Sequence, residues 1–259
     1  VKAFRLALTF LTVLPAGPAV SAEQPQATFS ASRAYFPMVG LLLGALTAGL
    51  DVLLRLALPP TLTAALLLVA LTVATRAFHI EGFLDACDGL LGGQTPERRL
   101  EIMRDPHVGA FAVVGGVCLV LTKWGSLAAL PPTLRLPVLL LFPCLSRWGM
   151  TLVMGLFPYA RYQGLGVAFD PGHGRWQLVA AAATALAAGA LLAGGLGLAL
   201  VAVATGVAWL LGLWMRRLLG GLTGDTYGAI NELVEVVVLV LAVALSGTGG
   251  LLFAGPLLG

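Results

Sequence analysis

Charge is what this sequence has least of. Its 259 residues include 15 Lys and Arg and 12 Asp and Glu, or 10% of the chain, where an ordinary soluble domain carries roughly a quarter. That shortage excludes a conventional soluble fold, and with a net charge of only +3 at pH 7 no nucleic-acid partner is expected. Cysteine is rarer still. Cys87, Cys118 and Cys144 have no CxxC spacing and cannot all pair with one another, which argues against a zinc site and against a disulfide framework. Strand-like alternation and an aromatic girdle are missing too, so a membrane β-barrel is not expected. What is abundant is apolar: 59% hydrophobic residues and a mean hydropathy of +0.96, with Leu, Ala, Val and Gly in long runs. The reading is all-α: a polytopic integral membrane helical bundle, one membrane-embedded domain over residues 1–259.

Breaks at Pro, Gly and charge clusters define about seven candidate transmembrane helices, at 36–58, 61–78, 109–130, 134–157, 177–194, 197–215 and 230–254. Each is near the roughly 20 residues that a bilayer core requires. The boundary between the fifth and sixth rests on AGGLG at 193–197, and Gly is tolerated inside membrane helices. Upstream, Lys2 and Arg5 precede a short apolar run ending before Pro15, which superficially resembles a signal peptide. Phe4, Ala7, Leu8 and Leu11 share a face at helical spacing, however, which favours a retained interfacial helix followed by a polar loop from Pro18 to Ser32.

Basic residues set the orientation. Flanks and loops on one side hold Lys2, Arg5, Arg33, Arg76, Arg98, Arg99, Arg104, Arg161, Arg175, Arg216 and Arg217, against Arg55 and Arg135 on the other. By the positive-inside rule the first side is cytoplasmic, and an odd number of spans leaves the C-terminus outside. The expected location is a bacterial inner membrane with the active face in the cytoplasm. Lys123 and Arg147 fall within spans, and Arg147 is too deep to snorkel easily. It is expected to meet an acid of the chain or an anionic substrate.

The few acids are not spread evenly: Glu81, Asp85, Asp88, Glu97, Glu101 and Asp105, six of the twelve, lie in residues 79–109. Glu81, Asp85 and Asp88 are spaced i, i+4, i+7 and project within about 60° on a helix. Three like charges there repel unless a divalent cation relieves them, and Mg²⁺ prefers one or two carboxylates while keeping waters and substrate phosphates as its other ligands. A solvated helix end with local ion pairs has the same spacing. Gly92 and Gly93 break this helix, and Thr95-Pro96-Glu97 reads as the start of another. On that second helix Glu97, Glu101 and Asp105 beside Arg98, Arg99 and Arg104 give either intrahelical ion pairs or a phosphate-facing basic edge. For Glu97 and Arg98 ion pairing is the reading, whereas Arg104 and Asp105, next to the membrane surface, are better site candidates. A second polar island, GGLTGDTYGAINELVE at 220–235, places Asp225, Glu232 and Glu235 on a common face. Thr223 and Gly224 offer donors to phosphate at a helix start, though Asp225 also fits a helix cap.

Phe78-His79-Ile80-Glu81-Gly82-Phe83-Leu84-Asp85-Ala86-Cys87-Asp88-Gly89 resembles the F-H-x-D-G-x-x-D-x-x-D-G signature of the cobalamin synthase family, the adenosylcobinamide-GDP ribazoletransferases. The resemblance continues through Pro96–Asp105, Thr223-Gly224-Asp225-Thr226, Glu232 and Glu235, and through FRLALTFLTVLP and YFPMVGLLLG. One departure is Glu81, where the family usually has Asp. The resemblance implies a transferase of vitamin B12 biosynthesis with Mg²⁺ as cofactor: α-ribazole or its 5′-phosphate attacks adenosylcobinamide-GDP, releasing GMP and forming adenosylcobalamin or its phosphate. It also leaves room for a homo-oligomer or a complex with other late B12-assembly enzymes.

Within that expectation Glu81, Asp85 and Asp88 hold the metal, and Asp225 or Glu232 completes a second ligand set or orients the nucleophile. Arg104, Arg147 and Arg161 are candidate phosphate clamps. His79 is either a base, a donor behind the ligands, or an interfacial histidine satisfied by a backbone carbonyl. The acid spacing is also similar to that of CDP-alcohol phosphotransferases, and isoprenoid-type transferases use acids for Mg²⁺-diphosphate. A transporter is the competing class, but no inverted repeat is evident and the acids gather at one face rather than the midplane.

Overall fold

The computed structural model describes residues 1–16, 26–161 and 175–246, which form helices with no strand among them. The helix expected at the N-terminus is α1 (Lys2–Leu11). It buries Leu6, Ala7 and Leu11, and its Phe10 packs on Phe36 and Phe78. The polar loop expected over Pro18–Ser32 is shorter than that reading: Gln26–Ser32 is a helix, α2, joined by a 3-10 turn (Arg33–Tyr35) to α3 (Phe36–Leu54), while 18–25 lie outside the described residues. Tertiary contact overrides the polar composition here, since Phe29, Ser30 and Ser32 are buried. Arg33, expected at a loop flank, is buried and donates to the Met154 carbonyl at 3.1 Å.

Next come α4 (Pro60–Ala74) and α5 (Phe78–Gly92), bent by 92° at the residues between them. Arg76 and Ala77 have φ of 55° and 56°, a left-handed conformation that costs a non-glycine residue about 1–2 kcal/mol. The corner is held by Ala77 N–H donating to the Thr72 carbonyl and Val13 N–H to that of Ala74, both at 2.8 Å. The short α6 (Pro96–Ile102) starts as expected, with the Thr95 hydroxyl accepting from Arg98 N–H.

The rest of the bundle is α7 (Ala110–Ala129), α8 (Pro132–Leu156), α9 (Trp176–Leu219) and α10 (Gly224–Leu245). Of the most apolar window of α8, 83% is buried, against 22% for α7. α8 is therefore the central pole, with α3, α9 and α10 packed around it. Gly40 and Gly44 let α3 reach it backbone to backbone: a β-carbon there would lie 2.3 Å from the Pro143 oxygen and 2.6 Å from that of Leu140. Exposed Met38, Leu42 and Leu46 on α3, with Val113, Val117 and Leu121 on α7, form an apolar exterior suited to lipid.

At 44 residues α9 would run for about 66 Å if straight, twice a bilayer's hydrocarbon thickness. It is not straight. Gly194 takes φ 54° and ψ −129°, and a β-carbon on Gly197 would lie 2.0 Å from the Gly189 oxygen. Eight residues of straight helix would separate those two by about 12 Å, so the chain turns back on itself at Gly194. The break expected at 193–197 is thus made by a single glycine.

α10 begins six residues before the expected 230, because Thr223 and Thr226 form a reciprocal cap at its start. The second polar island is therefore helical, and the expected end of that span at 254 lies outside the described residues. Among the described residues five segments can cross a membrane by length and composition, and the bent α4–α5 pair makes a sixth if it counts as one span. The arms of α9 crossing separately would bring the described residues to seven.

Candidate active site

Two glycines create the site by letting α5 and α10 cross in backbone contact. A β-carbon on Gly82 would lie 2.9 Å from Cα of Asp225, and one on Gly228 2.9 Å from the His79 oxygen. The crossing sets the first turn of α10 on the Glu81–Asp85 turn of α5. Asp225, Glu81 and Asp88 all act on the Asp85 carboxyl through space, Asp225 most strongly. Asp225 accepts from Arg161 Nη2 at 2.8 Å and from the Thr223 hydroxyl at 3.4 Å, and the Arg104 charge also bears on it.

Arg161 is aimed by a short backbone clasp, in which Leu222 N–H donates to the Pro158 oxygen and Ala160 N–H to the Leu222 oxygen, at 2.8 and 2.7 Å. Glu81 is exposed and Asp85 partly so. Among the described residues nothing lies within 4 Å of where a β-carbon on half-buried Gly224 would stand. The two acidic islands thus share one site, joined by Arg161 and Arg104. Among the described residues no three His, Cys, Asp or Glu already converge as a metal cage. Mg²⁺ does not require one, because one or two carboxylates with waters and phosphates suffice.

Asp88 is engaged differently. It is nearly buried, and its two oxygens accept from Gly109 N–H at 2.6 Å and Ala112 N–H at 2.8 Å, so that it caps α7 from a distance. Gly109 is required there, since a β-carbon would lie 2.6 Å from Asp88 Oδ1. Asp105 turns to His107, whose backbone N–H and ring bond it at 3.0 and 2.6 Å. The backbone bond and then the ring hold its carboxyl below the usual carboxylate range, and it is not drawn into the cluster around Asp85.

Beneath the crossing lies a charge network spanning four helices. Lys123 of α7 donates to Glu232 at 2.6 Å and Glu235 at 2.5 Å. Arg147 of α8 bonds Glu235 and the Ser146 hydroxyl, and its Nη2 lies 3.3 Å from His79 Nδ1. Asn231 donates to Glu232 Oε1 at 3.3 Å. Lys123, Arg147, Glu232 and Glu235 are all at most 4% exposed, and they line a cavity of about 30 Å³ together with Thr72 and Thr75. The anionic partner expected for Arg147 is therefore Glu235.

His79 Nε2 is buried without a hydrogen-bond partner among the described residues. Lys123 has no role in the reading of the sequence, although an unflanked lysine in an apolar run, beside Glu232 and Glu235 three apart on one face, is the signal that could have found it. Asp51 was equally silent. It accepts from Arg135 Nε and Nη2 at 2.7–2.9 Å, far from the site.

A model of the cobalamin-5-phosphate synthase family matches residues 3–243. The chain belongs to that family. Among its relatives, the adenosylcobinamide-GDP ribazoletransferase of Geotalea daltonii is 38% identical over 95% of this chain and 98% of its own length. Those of Desulfitobacterium hafniense and Syntrophobacter fumaroxidans, which carry the same name, are 42% and 40% identical over 91% and 92% of this chain, and 94% and 97% of theirs. No solved structure matches the chain. Family membership makes this protein a transferase of cobalamin biosynthesis, and its long apolar helices make it a multi-pass membrane protein.

Proposed function

We propose that the α5–α10 crossing is where a ribazole hydroxyl, on α-ribazole or its 5′-phosphate, attacks the phosphorus nearest cobinamide in adenosylcobinamide-GDP. A new P–O bond forms to the ribazole, the pyrophosphate bridge breaks, GMP leaves with the bridging oxygen, and the hydroxyl proton passes to a base. The observation that carries this reading is the contact of Gly82 with Asp225, which brings the two acidic islands and Arg161 around one opening.

The donor set suits Mg²⁺. Glu81, Asp85 and Asp225 are neighbouring carboxylates, and among the described residues only Asp225 has a cation bonded to it. They would hold the ion, which supplies neutralisation of the pyrophosphate charge. Arg161 and Arg104 would clamp phosphate oxygens, with Arg161 exchanging Asp225 for substrate. Thr223 N-caps α10 and, with Gly224, leaves its first turn open to an anion. Asp88 serves by fixing α7, and Arg147, Glu232 and His79 by fixing α10 against α5. The basic asymmetry supports a cytoplasmic active face in an inner membrane and a seventh span from the folded α9.

The test is GMP release by the purified protein in detergent, given adenosylcobinamide-GDP and either acceptor, with Mg²⁺ or with EDTA. GMP should appear together with adenosylcobalamin, or with its phosphate from the phosphorylated acceptor, only with Mg²⁺. Asp85→Asn should slow release by about 100-fold, some 2.7 kcal/mol of transition-state stabilisation. Folded protein that releases no GMP with either acceptor would refute the reading.

A further inference from the structure

At the far end of α8 from the candidate site, the same two helices that touch through Gly40 and Gly44 enclose a groove. It has a volume of about 260 Å³ and lies between the C-terminal turns of α3 and the first turns of α8. Arg135, near that end, is separated from the last residue of α8 by 21 positions, or about 32 Å of helix, so the groove opens on the opposite membrane face.

Its walls are graded along the helix axes. Ala48 and Leu139 lie deepest, Val52 and Leu136 nearer the surface, and Arg55 with Pro132 stand at the mouth. The floor carries the Asp51–Arg135 pair, both members nearly buried. Arg135 is fully engaged, its Nε and Nη2 on Asp51 and its Nη1 on the Leu127 carbonyl at 2.8 Å. Arg55, by contrast, is exposed and forms no ion pair with any described residue. The groove therefore has one cation in excess, at the end of α3, beside a short apolar channel whose exposed wall is Val52 and Leu136 and whose inner end is closed by the nearly buried Ala48 and Leu139.

We propose that this groove binds one anionic phospholipid of the leaflet at that face, its phosphate on Arg55 and an acyl chain along the exposed Val52 and Leu136. The apolar wall is what commits the site to a lipid, because a free phosphate would leave those side chains uncovered while gaining only the single exposed guanidinium. The excess positive charge is what favours an anionic headgroup over a zwitterionic one. The Asp51–Arg135 pair gives the site a fixed floor: it ties α3 to the α7–α8 turn and keeps the helices apart where their glycine contact ends. This inference does not depend on the proposed reaction, since none of these residues is near Asp85.

The experiment is native mass spectrometry of the delipidated full chain in neutral detergent, titrated separately with phosphatidylglycerol, phosphatidylcholine and inorganic phosphate. One phosphatidylglycerol should bind about five times more tightly than phosphatidylcholine, the preference that one arginine at a headgroup supplies. Arg55→Gln should abolish that preference and Arg55→Lys should retain it. Leu136→Trp, at an exposed position that overhangs the channel, should displace the lipid without lowering the melting temperature. Equal binding of the two lipids to the unaltered protein would overturn the proposal, as would an unchanged preference in Arg55→Gln. Inorganic phosphate that competes as well as the lipid would overturn it too, by showing a site that reads phosphate alone.

Discussion

Replacing Lys123 by Met keeps most of the unbranched side chain and removes one of the two cations that balance Glu232 and Glu235. Arg147 then remains for both acids, and it is bonded to Glu235. Glu232 keeps only the Asn231 amide at 3.3 Å. Breaking a buried ion pair from one side costs about 3–5 kcal/mol, because the partner is left charged away from water. Relief from solvent is limited, since the adjoining cavity of about 30 Å³ admits only a water or two.

Lys123→Met should therefore lower the detergent melting temperature sharply, while Lys123→Met/Glu232→Gln, which removes one charge of each sign, should recover most of the loss. The two changes should be strongly non-additive in a double-mutant cycle read by thermal unfolding. Activity is not the readout, because Glu232 borders the site. A single variant as stable as the parent, or a double variant as unstable as Lys123→Met, would refute the view that these four side chains form one charge-balanced unit.

Asp88→Ala removes both acceptors from the start of α7 and should cost about 1–3 kcal/mol by thermal unfolding. Gly109→Ala should destabilise as well, by driving a methyl into the same carboxylate. In α9, Gly197→Ala meets the Gly189 carbonyl and should lose about 1–3 kcal/mol or more. Gly206→Ala in the same helix has nothing within 4 Å of the added carbon and should gain about 0.5–1 kcal/mol, so equal melting temperatures for the two would disprove the reversal at Gly194. Asp225→Asn should slow GMP release strongly while leaving stability nearly unchanged, because it removes one of several crowded like charges along with a partly exposed ion pair.

Composition and periodicity alone determined the membrane bundle, the N-terminal helix α1, the start of α6 and the positions of most spans. Each depends on local facts: the length of an apolar run, a capping residue, a proline at a first turn. The F-H-I-E-G-F-L-D-A-C-D-G segment likewise placed three acids on one helix and pointed to the family. Tertiary structure alone decided how those acids divide.

Glu81, Asp85 and Asp88 have equivalent spacing, yet Asp88 faces the backbone of α7 while Asp85 faces Asp225, because helical phase says which way a side chain points and not what stands there. The same limit hid Lys123 and Asp51, whose partners are 109 and 84 residues away. Arg147 shows the boundary most plainly. Its depth in an apolar span was enough to demand an anion, but only the packing of α8 against α10 could choose Glu235 over a substrate phosphate.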